Sequence, residues 1–194
     1  MHYRFTMISD NGWPIEKGRQ GLSVWRLNRI LAILQNRIQQ LKEEGRELPI
    51  VWSSMHMYTT MQLAKILALK RGLDPELARL VGAFHDIYSI LTGETENHAI
   101  NAKVFIEEII QEYNTYWRGN LPEITENEKN RIISTVENHS NKIDISNDSL
   151  TELLRDADSL DSYLHGFTPG RKTGRIPRVN RVLENLGIDH SVTR

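Results

Sequence analysis

An ionisable pair lies inside the most apolar stretch of the chain, 80-LVGAFHDIYSIL-91. His85 and Asp86 are adjacent there, and the stretch holds no other charged residue. A buried carboxylate is unfavourable by several kcal/mol unless a cation or hydrogen-bond donors compensate it. The fold must therefore bury this stretch and, at the same place, supply Asp86 with a partner.

Helical periodicity runs through most of the chain. Apolar residues recur at spacings of three and four, and no stretch alternates with period two for long enough to form a strand. The predicted helices cover about 22–44, 54–70, 74–91, 97–110, 125–138, 149–164 and 179–186. Asp74 and Pro75 form an N-cap followed by proline at the first helical position, and Thr125 and Ser149 each begin a capping box. We therefore predict an all-α helical bundle.

The segment after Gly166 has a different composition. Residues 166–181 hold five cations and no acid, together with glycines and prolines, which predicts a basic loop leading into a short helix. Residues 1–20 are polar and contain glycine and proline, which predicts an irregular arm. We therefore expect an arm at 1–20 and a single domain at 21–194, with its core at about 50–166 and the basic loop and C-terminal helix at 167–194.

The composition limits the class of protein. The chain has 194 residues, which suits one domain, and its net charge of −1 gives no sign of nucleic-acid binding. It has no cysteine, which excludes disulfides, thiolate metal sites and cysteine nucleophiles. No apolar run approaches the length of a membrane span, and the first residues lack a signal-peptide core. We expect a cytoplasmic protein without membrane contact.

Side chains that can bind metals recur on the inward faces of the predicted helices. They are His56, His85, Asp86, His98, His139 and Asp158. Histidine and carboxylate groups that converge from several helices form the metal sites of helical bundles, and a divalent cation would compensate the buried Asp86. Taken alone, each residue has a simpler explanation as a hydrogen-bonded core histidine or a surface acid. Together they predict a central metal site.

The order of these residues resembles the HD superfamily of metal-dependent phosphohydrolases, whose pattern is H…HD…D. His56 comes first, His85 and Asp86 are adjacent, and Asp158 lies in a DADSLD segment similar to the DAD-x-LD of the family. The resemblance covers about residues 50–166 and implies an HD-domain-like helical bundle with a central metal site. It also implies that these four residues bind a first metal ion, and that His85 and Asp86 are catalytic.

The last ligand is assigned to Asp158 rather than to Asp156. Family members place this ligand in the AD-x-L register, which Asp158 matches. The two aspartates are two residues apart, or about 200° around a helix, so both cannot face the same site. Asp156 is expected to face solvent or to orient a neighbouring group.

Two further histidines resemble ligands that some HD subfamilies place between the HD pair and the last acid. The segments 97-NHAINA-102 and 136-VENHS-140 are similar to those regions, which implies that His98 and His139 bind a second ion bridged to the first by Asp86. The expected cofactor is two divalent ions per chain, such as iron, manganese or zinc. The alternative is that His98 is an exposed first-turn residue and His139 a cation favoured by a helix dipole.

The resemblance implies hydrolysis of a phosphate ester or anhydride of a nucleotide or another small phosphorylated metabolite. The residues after Asp86 lack the nearby acids of alarmone hydrolases and of the bacterial deoxynucleotidases of the family, and the GYP signature is absent. The pattern resembles the subgroup that includes symmetrical dinucleoside-tetraphosphate hydrolases. Two alternatives stay open: a mixed-valent di-iron oxygenase of the HD fold, which uses the same six ligands, and a non-catalytic regulatory module that binds metal or nucleotide.

Four basic residues are the candidates for binding the substrate phosphate: Arg171, Lys172, Arg175 and Arg178. Arginine binds phosphate oxygens in pairs, and the neighbouring glycines allow the backbone to approach a ligand closely. The alternatives are a solvated basic turn, or an RNA or protein contact, although the lack of interleaved aromatic residues argues against single-stranded nucleic acid. The amphipathic helix at 22–44 would either pack on the bundle or use its exposed face to form a homodimer.

Overall fold

The computed structural model describes residues 22–166 and 174–189. Within these ranges the chain forms helices and no strand, which confirms the predicted all-α fold. The helices are α1 (Leu22–Ile38), α2 (Ile50–Arg71), α3 (Pro75–Phe84), α4 (Ile87–Thr92), α5 (His98–Glu112), α6 (Glu126–Glu137), α7 (Ser149–Leu164) and α8 (Arg175–Leu186), with a π-helical turn at Tyr113–Trp117 after α5. None of these helices is both long enough and apolar enough to cross a membrane. The predicted arm at 1–20 lies outside the described residues, and the assignment of 21–194 to one domain stays a prediction.

The centre of the bundle is formed by α2, α3 and α7. α2 packs along both α3 and α7, while α5 packs on α6 and α8 packs on α7. Gly82 allows α2 and α3 to approach closely, because a Cβ atom at this position would lie 2.8 Å from the Cα atom of Met61. This close contact brings His56 on α2 next to His85 at the end of α3.

The helix predicted at 74–91 is two helices. α3 begins as predicted, with Asp74 as an N-cap whose carboxylate accepts hydrogen bonds from two N–H groups of the first turn. α3 and α4 are separated at His85 and Asp86, because the backbone of Asp86 departs from helical geometry, with φ −112° and ψ 21°. The prediction of one continuous helix was wrong, since the apolar pattern continues across the break.

Other helix ends agree with the prediction in part. α6 begins with the predicted capping box, in which Thr125 and Glu128 each accept a hydrogen bond from the other's N–H group. α7 is capped by Asp148 rather than by Ser149, which is the first helical residue. α1 ends at Ile38, before the predicted end near residue 44.

The predicted basic loop is helical from Arg175 onward, and an ion-pair network attaches this helix, α8, to α7. Arg178 donates hydrogen bonds to Glu152 at 2.8 Å and to Asp156 at 3.1 Å, and it is only 2% exposed. The prediction of a loop was wrong here because these partners are more than twenty residues away along the chain.

The carboxylate of Glu152 is central to this network. Burial alone would raise its pKa, but hydrogen bonds from Arg178, from the Ser146 N–H group and from Arg155 outweigh burial and lower the pKa to about 2. A carboxyl pKa that is lower in the folded chain stabilises the fold at pH values above the unfolded pKa of about 4.5. This stabilisation is lost as the pH falls toward 2.

We expect Glu152→Gln to lower the free energy of unfolding by about 1.5–3 kcal/mol at neutral pH, because the buried Arg178 loses one of its two carboxylate partners and keeps only Asp156. The difference from wild type should shrink as the pH falls from about 4.5 toward 2. Urea unfolding followed by circular dichroism at several pH values measures both effects. Glu126→Gln, which removes a largely exposed carboxylate on α6, is the control and should cost less than about 0.5 kcal/mol. Equal losses in the two variants would contradict the role of the network.

Candidate metal centre

Four histidines reach the centre of the bundle: His56 from α2, His85 from the α3–α4 break, His98 from the start of α5 and His139 from just after α6. Three of them use Nδ1 in the same way. His85 hydrogen-bonds to the carbonyl of Gly82, His98 to that of Thr95 and His139 to that of Val136, at 2.7–2.9 Å. Because a carbonyl can only accept, Nδ1 is the donor, and this tautomer directs Nε2 of each ring toward the centre.

His56 is oriented by a carboxylate. Its Nδ1 contacts the carboxylate of Asp161 on α7, and both side chains are buried. Carboxylates often accept the Nδ1–H bond of a metal-binding histidine, which leaves Nε2 for the ion. Asp161 was not among the predicted site residues. It lies three residues after Asp158, and this spacing puts both carboxylates on one helix face.

The orientation of His98 depends on an unusual backbone conformation. Asn97, which precedes α5, has a φ of 52°, and among the described residues other than glycine it alone has a positive φ. Asparagine tolerates this left-handed region better than most residues. This turn places His98, the first residue of α5, at the centre, where it contacts Asp86 and His139. His98 is therefore not merely an exposed residue of the first turn.

Asp86 lies between two pairs of imidazoles. One oxygen, Oδ2, is 3.5 Å from Nε2 of His56 and 3.4 Å from Nε2 of His85. The other oxygen, Oδ1, is 3.3 Å from Nε2 of His98 and 3.5 Å from Nε2 of His139. Each carboxylate oxygen therefore faces its own pair of nitrogen atoms.

The nitrogen atoms within each pair are close together. The Nε2 atoms of His56 and His85 are 3.1 Å apart, and those of His98 and His139 are 3.3 Å apart. Two acceptor atoms at such a distance repel each other unless a proton or a cation lies beside them. Since every Nδ1 already faces an acceptor, the donor set fits a cation at each pair.

The charge states support the same conclusion. Burial lowers the pKa of His85 to about 4, so this imidazole is neutral at physiological pH. Burial also opposes the charged form of His56, but its interactions with Asp158 and Asp161 outweigh burial and raise its pKa to about 10. Burial would raise the pKa of Asp86, yet the surrounding histidines hold it well below its usual range. An ion at the first pair would therefore displace a proton from His56.

Two overlapping groups have the geometry to hold an ion. The groups are His56, His85 and Asp86, and Asp86, His98 and His139; within each, the ligand atoms lie within 4.8 Å of one another. Imidazole nitrogen and carboxylate oxygen suit zinc, iron and manganese. The described residues thus bring five of the six predicted ligands together, with four histidines around the shared carboxylate of Asp86.

Asp158, the sixth predicted ligand, lies beside the first group. Its Oδ1 is 3.4 Å from Nε2 of His56 and 3.0 Å from Nη1 of Arg175. Its Oδ2 contacts the ammonium group of Lys142. Both oxygens of this buried carboxylate therefore face cations supplied by the chain, and burial is outweighed by these cations, which hold its pKa well below the usual range.

Lys142 is a charged residue of the centre that was not predicted. It lies in the loop between α6 and α7, three residues after His139, and its side chain is buried. Its ammonium group donates a hydrogen bond to the His139 carbonyl at 2.6 Å and pairs with Asp158. Burial lowers its pKa to about 8, against the opposing effect of Asp158. The sequence signal was weak, because a lysine in a polar turn usually faces solvent.

The four predicted phosphate-binding residues have different positions. Arg171 and Lys172 lie outside the described residues. Arg175 reaches the centre, where its Nη1 contacts Asp158. Arg178 is buried away from solvent and binds Asp156 and Glu152, so Asp156 orients a neighbouring group, one of its two expected roles.

The match to a known family spans the segment that carries this centre. The HD domain family model matches residues 54–163, more than half of the chain, and this range contains all six predicted ligands. No curated protein and no solved structure matches the chain significantly. HD domains bind divalent metals and are commonly metal-dependent hydrolases, which agrees with the cluster of histidine and aspartate around Asp86. The chain belongs to the HD domain family.

Proposed function

We propose that the protein is a metal-dependent phosphohydrolase with two divalent ions, held by His56, His85, Asp86, His98, His139 and Asp158. The observation that carries this proposal is the position of Asp86, whose two oxygens each lie 3.3–3.5 Å from two Nε2 atoms. A carboxylate in this environment suits a bridge between two ions. Iron, manganese and zinc match the nitrogen and oxygen donors.

The proposed ligands divide into two sets that share Asp86. His56, His85 and Asp158 would serve the first ion, and His98 and His139 the second. Divalent ions in such a site polarise a phosphoryl oxygen and lower the pKa of water, so that a nucleophile forms near neutral pH. A cysteine or serine nucleophile is not required for this chemistry.

The residues of the chain supply orientation and charge. Asp161 and three main-chain carbonyls hold the imidazoles in place before an ion arrives, so little reorganisation accompanies binding. His85 and Asp86, proposed as catalytic residues, would hold the ions beside the phosphate of the substrate. Arg175 is the proposed phosphate ligand, because among the described residues its contacts engage only Nη1 and leave Nε and Nη2.

The proposed substrate is a phosphate ester or anhydride of a nucleotide or another small metabolite. The guanidinium group of Arg175 beside the proposed ligand Asp158 supports an anionic substrate. The direct test is elemental analysis of the purified protein coupled to a phosphate-release screen over nucleotides and dinucleoside polyphosphates. Iron-dependent oxygen consumption without phosphate release would favour the oxygenase.

Asp86→Ala should remove both ions and reduce phosphate release about a thousandfold or more, because the bridge and several kcal/mol of charge stabilisation are lost. Elemental analysis and the release assay measure the two effects. Asp144→Ala, which removes a carboxylate from the α6–α7 loop that pairs with Asn141, is the control and should keep both ions. Two ions in the Asp86 variant would contradict the proposed bridge.

The double variant His98→Ala, His139→Ala should lower the metal content from two ions to one per chain, since the first set of ligands remains. Metal titration under anaerobic conditions with iron, manganese or zinc measures the stoichiometry. His165→Ala is the matched control, because His165 lies at the end of α7 near Asp161 and is outside both ligand sets. A wild-type protein that never exceeds one ion would rule out the dinuclear centre.

Asp161→Asn should weaken binding of the first ion about tenfold or more, because a neutral amide holds the His56 ring less firmly than a carboxylate does. Competition with a chelator of known affinity measures the change. The control is Asp156→Asn. Asp156 lies on the same helix but binds Arg178, so this variant should lower thermal stability and leave metal affinity unchanged. If Asp161→Asn lowered thermal stability and left the metal affinity unchanged, Asp161 would have a structural role.

A further inference from the structure

Lys142 is held in the centre more firmly than an ordinary loop lysine. Its side chain is 3% exposed, and its ammonium group contacts both the His139 carbonyl and the Asp158 carboxylate. Burying an ammonium group is costly unless a carboxylate or hydrogen-bond acceptors compensate it, and here the compensating carboxylate is Asp158, a predicted metal ligand.

The backbone of Lys142 is clamped by α8. Arg178 donates a hydrogen bond from Nε to the Lys142 carbonyl at 2.8 Å. Gly174 packs against the same carbonyl, and a Cβ atom at residue 174 would lie 2.6 Å from its oxygen. Gly174 also has a φ of 70°, a conformation that favours glycine. The next residue, Arg175, reaches the other oxygen of Asp158. The segment 174–178 thus positions both Lys142 and Arg175 at the carboxylate of Asp158.

The charges at the centre indicate an anionic ligand. Three carboxylates, Asp86, Asp158 and Asp161, lie with two cations, Lys142 and Arg175. Two divalent ions would make the sum strongly positive. An ammonium group near such ions is repelled, and repulsion is greatest in a buried site. Two cations also exceed what is needed to neutralise Asp158 once that carboxylate binds an ion. A bound phosphate would restore the balance.

Both cations have hydrogen-bond donors left for a ligand. The two contacts of the Lys142 ammonium group use two of its three N–H bonds. We infer that Lys142 is a phosphate-binding residue, which together with Arg175 holds the anionic group of the substrate on the Asp158 side of the centre. This inference rests on the proposed function and adds a residue outside the basic segment.

The test uses the metal-loaded full chain and inorganic phosphate as the probe. Calorimetry should show that Lys142→Met weakens phosphate binding about tenfold to a hundredfold, the loss expected for one charge-assisted hydrogen bond, with metal content unchanged. Lys142→Arg should recover part of the affinity because the charge is kept. Lys129→Met removes an ion-paired lysine at the other end of α6 and should bind phosphate like wild type.

The outcomes separate this inference from the function on which it rests. If wild type binds and releases phosphate and Lys142→Met does so equally well, Lys142 only neutralises Asp158 and the inference fails alone. If metal-loaded wild type neither binds phosphate nor hydrolyses any ester, both fail. Lys142→Gln provides a second variant in case the methionine variant does not fold. Loss of metal in every Lys142 variant would make the residue structural and overturn the inference.

Discussion

The centre depends on the direction in which four imidazole rings present their lone pairs. Each ring has its Nδ1 engaged, three by a carbonyl within the same turn and one by Asp161, so the Nε2 atoms converge. Convergent lone pairs are unfavourable in a dry core without a positive charge. Asp86 lies between the two pairs of rings, with one oxygen toward each pair, where its negative charge would help to hold a cation. The helices supply this arrangement from separate parts of the chain.

Helix ends, rather than helix interiors, supply most of these groups. His85 and Asp86 occupy the break between α3 and α4, His98 begins α5, and His139 follows α6. A residue at a helix end can turn its ring back onto a carbonyl of the neighbouring turn, which fixes the tautomer without a second side chain. His56 lies in the interior of α2, and among these four histidines it is the one whose Nδ1 faces a carboxylate rather than a main-chain carbonyl.

Local patterns predicted the all-α fold and which histidines and aspartates meet, because apolar spacing determines helix faces and the ligand order is specific. The break at His85 could not be predicted, since it interrupts the backbone without interrupting the apolar pattern. Asp161 and Lys142 were missed because their roles come from contacts with distant residues: Asp161 orients a histidine 105 positions earlier in the chain. Arg178 was predicted to bind the substrate phosphate, and its burial could not be foreseen because it depends on carboxylates of α7 that only the folded chain brings near.

Gly82 has a consequence for which ion the centre accepts. Since a Cβ atom there would lie 2.8 Å from the Cα atom of Met61, α2 and α3 are already at their closest approach. In a small complex in solution, ligands move inward or outward to suit the ionic radius. Here the same adjustment between His56 and His85 would require two packed backbones to shift, which close-packed interiors resist. We therefore expect the spacing of His56 and His85 to resist change by an ion of a different size, through the packing of a residue that is not itself a ligand.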